Sequence, residues 1–389
     1  MRQAQWQALR LALGTASALG LARFAYGLLL PAMRDDLHWT LSEAGTMSAA
    51  NGLGYLFGAL LTAVAVRRMG AAATFRWGMI LTAVSLAATA ASDHSLALLA
   101  ARAAAGVAGA AVFITGGVIA SRIAMRAASD SPITIYFAGT GLGIVFSGVT
   151  IPLLADHWRP AWLGLSVAAA LATLISWRVA HTSEEATAAG AGRAYVRPLW
   201  GIALAYLLFA AGYITYITFL SAYLADRHAP LGQVVLTWTA LGLAVVAAPA
   251  LWSRPTARWP GTRALTTLLG LLAIGAALAL AAPAPPVVLA SAVVYGATFM
   301  GVPAAVTTLI KANTLPADWT ATLAVFTTLF AAGQTAGPWL AGLLADHTST
   351  NATLAWTAVL CAAAALIAAI AGRSSLFAAS QSSVIEANA

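Results

Sequence analysis

The sequence predicts an all-α integral membrane protein of twelve transmembrane helices, arranged as two pseudo-equivalent six-helix bundles. Three observations carry that prediction. Hydrophobic residues make up 61% of the 389 residues and charged residues only 8%, far below the ~25% usual for a soluble domain. The apolar residues fall in long runs rich in Ala and Leu, without strand-like alternation, and only a helix satisfies its own backbone in lipid. The chain also echoes itself at a fixed offset, which divides the runs six and six. Such a composition excludes a soluble enzyme, a disordered chain and a secreted disulfide scaffold.

In chain order the runs are 9–32, 45–66, 73–91, 95–120, 131–154, 160–180, 199–224, 231–252, 263–282, 285–310, 320–344 and 351–372. Each matches the ~20 residues that cross a bilayer. The first is too long for a signal peptide, contains Arg23 and precedes eleven more, so it reads as an uncleaved first span. Arg34, Asp35 and Asp36 separate it from the second. Arg67 and Arg68 separate the second from the third, and Asp93 the third from the fourth. Arg122 and Arg126 close the fourth, and Asp156 and Arg159 divide the fifth from the sixth. The polar stretch HTSEEATAAGAGRAYVRP, 181–198, reads as a linker. Asp226 and Arg227 end the seventh, and Arg254, Arg258 and Arg263 lie between the eighth and ninth. The domain layout is therefore a bundle over 1–180, a linker over 181–198, a second bundle over 199–372 and a loosely ordered cytoplasmic tail over 373–389.

The loops orient the spans. With the N-terminus inside, fifteen basic residues fall on the inner side and three (Arg34, Arg159, Arg227) on the outer. The positive-inside rule then puts both termini in the cytoplasm of a multi-pass protein of the cytoplasmic, or inner, membrane. It also accounts for most of the net charge of +8, which in a soluble chain would suggest nucleic acid. The single cysteine, Cys361, excludes an internal disulfide and a multi-cysteine metal site.

An offset of 190 maps Asp36 onto Asp226, Gly52 onto Gly242, Gly106 onto Gly296 and Gly143 onto Gly333. It also maps Asp156-His157 onto Asp346-His347, inside LLADH in both halves. Parallel six-helix repeats are a transporter architecture with the substrate near the midplane.

Three segments carry a family resemblance. They are ARAAAGVAGAAVF in the fourth run, with Arg102, Gly106 and Gly109; GQTAGPWLAGLLADH in the eleventh, with Gly333, Gly337 and Pro338; and the opening GLARFAYGLLLPAMRDDLHWTLSEAGTMSAANGLGYLFGALL. On these the chain resembles the major facilitator superfamily, in particular its YbfB/YjiJ-type branch. The resemblance implies alternating-access transport and a central cavity lined by spans one and four among others. Two signatures depart from the family pattern. In AVAVRRMGA, 63–71, Arg68 and Gly70 fit the loop motif, but Arg67 stands where an acid is expected, and Ala63 and Ala71 replace Gly and Arg. The fifth-span stretch GTGLGIVFSG lacks the proline of the antiporter signature.

Arg23 and Arg102 lie well inside spans, where an Arg costs about 2.5–3.5 kcal/mol on insertion scales. No Asp, Glu or Lys lies deep in any span to neutralise them. An anionic substrate would supply the missing charge, and the guanidinium fork suits a carboxylate. The structural alternative pairs Arg102 with backbone carbonyls, or with Asp36 or Glu43. Arg23 and Tyr26 share one helical face, as do their offset partners Tyr213 and Tyr216, and Tyr295 and Phe299. These aromatics would wall a pocket opposite the two Arg, with Asn51, Tyr55 and Gln334 as polar lining. The alternative for each is ordinary packing. Gly52, Gly54, Gly58, Gly139 and Gly143 read as faces for close helix approach. Asp36, Glu43 and Asp226, with His38 nearby, are the candidates for proton coupling or gating; the alternative is solvated loop charge.

The sequence thus favours a monomeric secondary transporter of a small organic anion, driven by proton coupling or exchange. No cofactor, metal or nucleic acid is expected. One rival is an efflux pump for lipophilic drugs. A membrane enzyme is a weaker one, because no nucleophile, base or metal cluster sits at membrane depth.

Overall fold

The computed structural model describes residues 2–154, 157–179 and 193–387, with side chains through residue 372. Among the described residues it is helical throughout, without strands. We number the spans α1 (Arg2–Leu37), α4 (Ser95–Ala127), α5 (Ser131–Thr150), α6 (Trp158–Ser176), α7 (Trp200–Ala225), α8 (Leu231–Arg258), α9 (Arg263–Ala281), α10 (Pro285–Asn313), α11 (Trp319–Asp346) and α12 (Asn351–Ala387). The stretch Leu41–Ala90 supplies α2 (41–69) and α3 (71–90), because Gly70 breaks it with φ 81 and ψ 164. That backbone region is essentially closed to other residues. The turn falls beside Arg67 and Arg68, where the sequence places it.

Several helices outrun their apolar segments. α1 runs from Arg2 to Leu37, and α8 continues to Arg258. Helical bonding persists into the polar ends, where water can meet the terminal backbone groups. The last helix reaches Ala387, so the expected loose tail is helical to that point. The linker reading at 181–198 lies outside the described residues up to 192, as does Asp156.

Two helices are irregular near the middle of the molecule. α1 widens into a π-helical stretch, Ala16–Phe24, which contains Arg23. α10 is interrupted at Met300, between Pro285–Phe299 and Gly301–Asn313. Pro303 has no N–H to donate to the Phe299 carbonyl one turn back, and the interruption follows.

The 190-residue offset is visible as packing. Gly106 of α4 lies on the Asn51 carbonyl of α2, and Gly296 of α10 on the Leu241 carbonyl of α8, the offset partner of Asn51. Gly52 of α2 packs against Thr335 of α11, and Gly242 of α8 against Val145 of α5, its offset partner. The second pair of contacts crosses between the halves, so it exchanges under the pseudo-twofold relation. A Cβ at Gly242 would stand 2.7 Å from the Val145 nitrogen, so this crossing requires the bare backbone.

The named contacts between the six-helix halves gather at the end away from the chain termini. Ser48 of α2 and Thr218 of α7 share a hydrogen bond of 3.0 Å. Gly27 of α1 abuts the Ile217 carbonyl, Gly45 the Pro338 carbonyl and Gly148 the Trp238 side chain. The Leu41 and Ser42 N–H groups at the start of α2 donate to the two Asp346 carboxylate oxygens, at 2.7 and 3.0 Å. Arg34 reaches Asp226 at 3.9 Å. The cavity between the halves is lined from the middle of the molecule toward the termini-bearing end, by Tyr206 and Phe209 of α7, Pro303 and Thr307 of α10, and Thr327 and Phe330 of α11.

Candidate functional site

The central cavity, about 240 Å³, lies between the halves. Arg23 and Leu19 come from the π-helical stretch, and Tyr55 and Phe113 from α2 and α4. The second half supplies Tyr206, Phe209 and Tyr213 from α7; Phe299, Met300, Pro303 and Thr307 from the interrupted part of α10; and Thr327 and Phe330 from α11. No Asp, Glu, Lys or His is among its lining residues.

Arg23 is 7% exposed. Its Nη2 donates to Gln334 Oε1 at 2.5 Å, across the interface between halves. The Tyr213 hydroxyl donates to the same oxygen at 3.3 Å. The guanidinium also stands over the rings of Tyr55, Phe24 and Tyr213 at 5.5, 5.9 and 6.0 Å, a favourable cation–π setting. Its Nε is buried and donates to nothing. The cavity wall therefore holds a positive charge with no carboxylate beside it.

Arg102 is placed differently. It is 1% exposed inside the first half and does not line the cavity. Its Nη1 donates to the Ala22 carbonyl at 2.6 Å, and its guanidinium lies over Tyr26 and Trp162 at 4.8 and 5.5 Å. Asn51 donates to the Arg102 carbonyl, and the Tyr26 hydroxyl to the Ala44 carbonyl. Arg23 and Tyr26 consequently do different things despite their spacing of three. Arg23 lies at the end of the π-helical stretch and Tyr26 follows it in regular α-helix, so the winding changes between them.

Of the other sequence candidates, Tyr55, Tyr213 and Phe299 line the cavity, and Gln334 is buried outside the lining, where it accepts from Arg23. Tyr216 and Tyr295 stack on each other within the second half, with centroids 3.9 Å apart. There Tyr216 bonds Ser291, and Tyr295 donates to the Tyr213 carbonyl.

The acids at the far end divide in the same way. Glu43 completes a capping box with Thr40. Asp36 accepts from the Trp158 indole at 2.8 Å, within the first half. Asp226 accepts from the Thr350 hydroxyl and faces Arg34 of the other half. His38 takes a left-handed conformation, φ 55, at the end of α1. Among the described residues no three His, Cys, Asp or Glu side chains gather as a metal site.

Sequence reasoning missed Asp346 as a contact between halves, although its repeat in LLADH marked it as shared. It also missed Phe113, Tyr206, Phe209 and Phe330, because an aromatic within an apolar span carries the same pattern whether it packs or lines a cavity.

Two six-helix halves around a midplane cavity closed at one end define a secondary transporter of the major facilitator type. The chain belongs to the family described as "Uncharacterised MFS-type transporter YbfB", whose profile matches residues 15–373. Among solved structures it resembles the nucleoside transporter NupG, with a TM-score of 0.68 and 13% identity, over 94% of this chain and 98% of that one. It also resembles a bacterial homologue of the human lysosomal transporter Spinster in an inward-facing, occupied conformation. There the TM-score is 0.68 and the identity 15%, over 94% of each chain. At these identities the likeness is one of fold. The sequence matches no curated protein.

Proposed function

We propose that the protein carries a small organic anion, with a carboxylate as the preferred class, across the cytoplasmic membrane by alternating access. Arg23 anchors the anion. The observation that carries this reading is the Arg23 guanidinium. It is buried in the cavity wall, without a carboxylate beside it and with its Nε unpartnered. A carboxylate arriving there neutralises a charge that the protein leaves uncompensated. Arg102 supports the site from within the first half by tying α4 to α1 through the Ala22 carbonyl.

The basic loops put both termini in the cytoplasm, so the cavity faces inward in this conformation. No Asp, Glu, Lys or His is among the lining residues, which favours exchange of anions, or co-transport of a proton with the substrate, over a protonation relay inside the cavity. A monomer suffices, since each half contributes one wall. The aromatic wall would also suit a carrier of lipophilic drugs, and the buried cation decides against cationic ones.

The test is counterflow of radiolabelled carboxylates in proteoliposomes, paired with ligand-dependent thermal stability of the purified protein. Arg23→Gln should weaken anion binding about 10- to 100-fold, the range expected for losing a hydrogen bond to a charged group. Arg23→Lys should recover only part of it, because an ammonium lacks the fork. Equal stabilisation of parent and Arg23→Gln by neutral drugs, with no response to anions, would replace this reading with efflux.

A further inference from the structure

We infer that the carried anion is an aromatic monocarboxylate, a flat ring bearing a single acid group. This rests on the proposal that the central cavity is the anion site. Four features of the cavity point to it.

The first is charge. Arg23 is the only cation among the lining residues, and the other membrane-depth guanidinium, Arg102, lies inside the first half and outside the cavity wall. One charge in the wall balances one carboxylate. A second carboxylate on the ligand would lie unpaired against rings, and burying an unpaired charge is heavily disfavoured.

The second is the shape of the wall. Eight of the fifteen lining residues are Phe or Tyr. The rings of the second half form a near-parallel array. Phe209 and Tyr213 are 4.9 Å apart at 18°, Tyr213 and Phe330 5.5 Å at 23°, and Tyr206 and Phe330 5.1 Å at 25°. A flat ring extends such an array through offset stacking. An aliphatic chain does not.

The third is that two hydroxyls of the second-half wall already have their protons engaged. The Thr307 and Thr327 hydroxyls donate to carbonyls of their own helices, those of Pro303 and Leu323, each at 2.8 Å. A sugar or a ribose brought against them would lose water without gaining those donors, whereas an unsubstituted ring has nothing to lose.

The fourth joins the other three. The unpartnered Nε belongs to a guanidinium already faced by the rings of Tyr55, Phe24 and Tyr213. A carboxylate paired with that guanidinium places its body in the cavity, between the two walls. A cavity of about 240 Å³ accommodates a body of one or two fused rings.

The experiment is a binding panel on the purified full-length protein, read by thermal stability and titration calorimetry. The probes are benzoate, 2-naphthoate, cyclohexanecarboxylate, succinate, terephthalate, benzamide and uridine. The best aromatic monocarboxylate should bind about tenfold more tightly than cyclohexanecarboxylate, the scale of one lost stacking contact. It should exceed benzamide by about 10- to 100-fold, the scale of the lost charge. Phe330→Leu should erase the preference for a flat ring and keep the requirement for a carboxylate. Arg23→Gln should do the reverse.

Equal or tighter binding of succinate or cyclohexanecarboxylate overturns the aromatic inference while the anion reading stands. Binding of uridine or benzamide that is indifferent to Arg23→Gln overturns both. Failure of every aromatic monocarboxylate to shift stability also overturns the inference.

Discussion

Arg23 and Arg102 are both buried guanidiniums, yet one stands in the cavity wall and the other over the rings of Tyr26 and Trp162 inside the first half. Both were legible as charges at membrane depth, because the cost of an Arg in lipid demands an explanation at any position. Their separate surroundings were not legible. The π-helical turn that aims Arg23 at the cavity, and the rings of Tyr26 and Trp162 under Arg102, come from packing and not from spacing. The difference predicts distinct phenotypes. Arg102→Ala removes a fully buried side chain and its hydrogen bond to the Ala22 carbonyl. It should cost about 2–5 kcal/mol of stability, on the scale of large buried truncations. The protein that remains folded should bind its anion nearly as the parent does. Melting temperature and calorimetric affinity, measured side by side, separate the two effects. An Arg102→Ala protein that melts like the parent but no longer binds would move Arg102 into the site.

Among the elements, the start of α2 shows how a helix end can join two halves. Thr40 and Glu43 cap it from within, and that pattern lies in the sequence itself. The remaining N–H groups, of Leu41 and Ser42, are met by Asp346 at the far end of α11, 305 and 304 residues away. No local reading reaches that contact, although an acid at a helix N-terminus is a familiar stabiliser. Burial raises the Asp346 carboxyl. The Ser42 hydroxyl and N–H, the Leu41 N–H and the Thr40 hydroxyl together outweigh that and hold it below its ordinary value. A depressed carboxylate contributes its stability above its unfolded value, about 3.9, and loses it as pH falls through the folded one. From about pH 5 to about pH 8 this contact should therefore be constant. Asp346→Ala should weaken closure at this end by about 1 kcal/mol, a shift of about fivefold in population. The check is the labelling rate of a cysteine at position 48 by a membrane-impermeant reagent. It should rise by that factor at neutral pH, and the rate in the unsubstituted background, divided by the thiolate fraction at each pH, should stay flat across the window. A steep pH dependence there would assign closure to a different titrating group.

At the scale of the whole molecule, the twelve spans and the repeat were legible because each rests on something that composition and spacing record. The conformational state was not, since a pseudo-symmetric sequence is equally compatible with closure at either end. In the structure, contacts such as Ser48 with Thr218, Gly27 with Ile217 and Gly242 with Val145 hold one end together, and the cavity opens at the other. Transport by alternating access requires these contacts to part. Ser48 Oγ and Thr218 Oγ1 are 3.0 Å apart, close enough for sulfurs at those positions to come within the ~2.05 Å of a disulfide after a small adjustment. The natural Cys361 is buried and does not compete. Ser48→Cys with Thr218→Cys should cross-link under mild oxidation and stop counterflow, and reduction should restore it. Anion binding by the cross-linked protein should persist, because the cavity stays open at the other end. Counterflow that continues at the parent rate after complete cross-linking would mean that these halves do not separate there, and the carrier would need a different moving element.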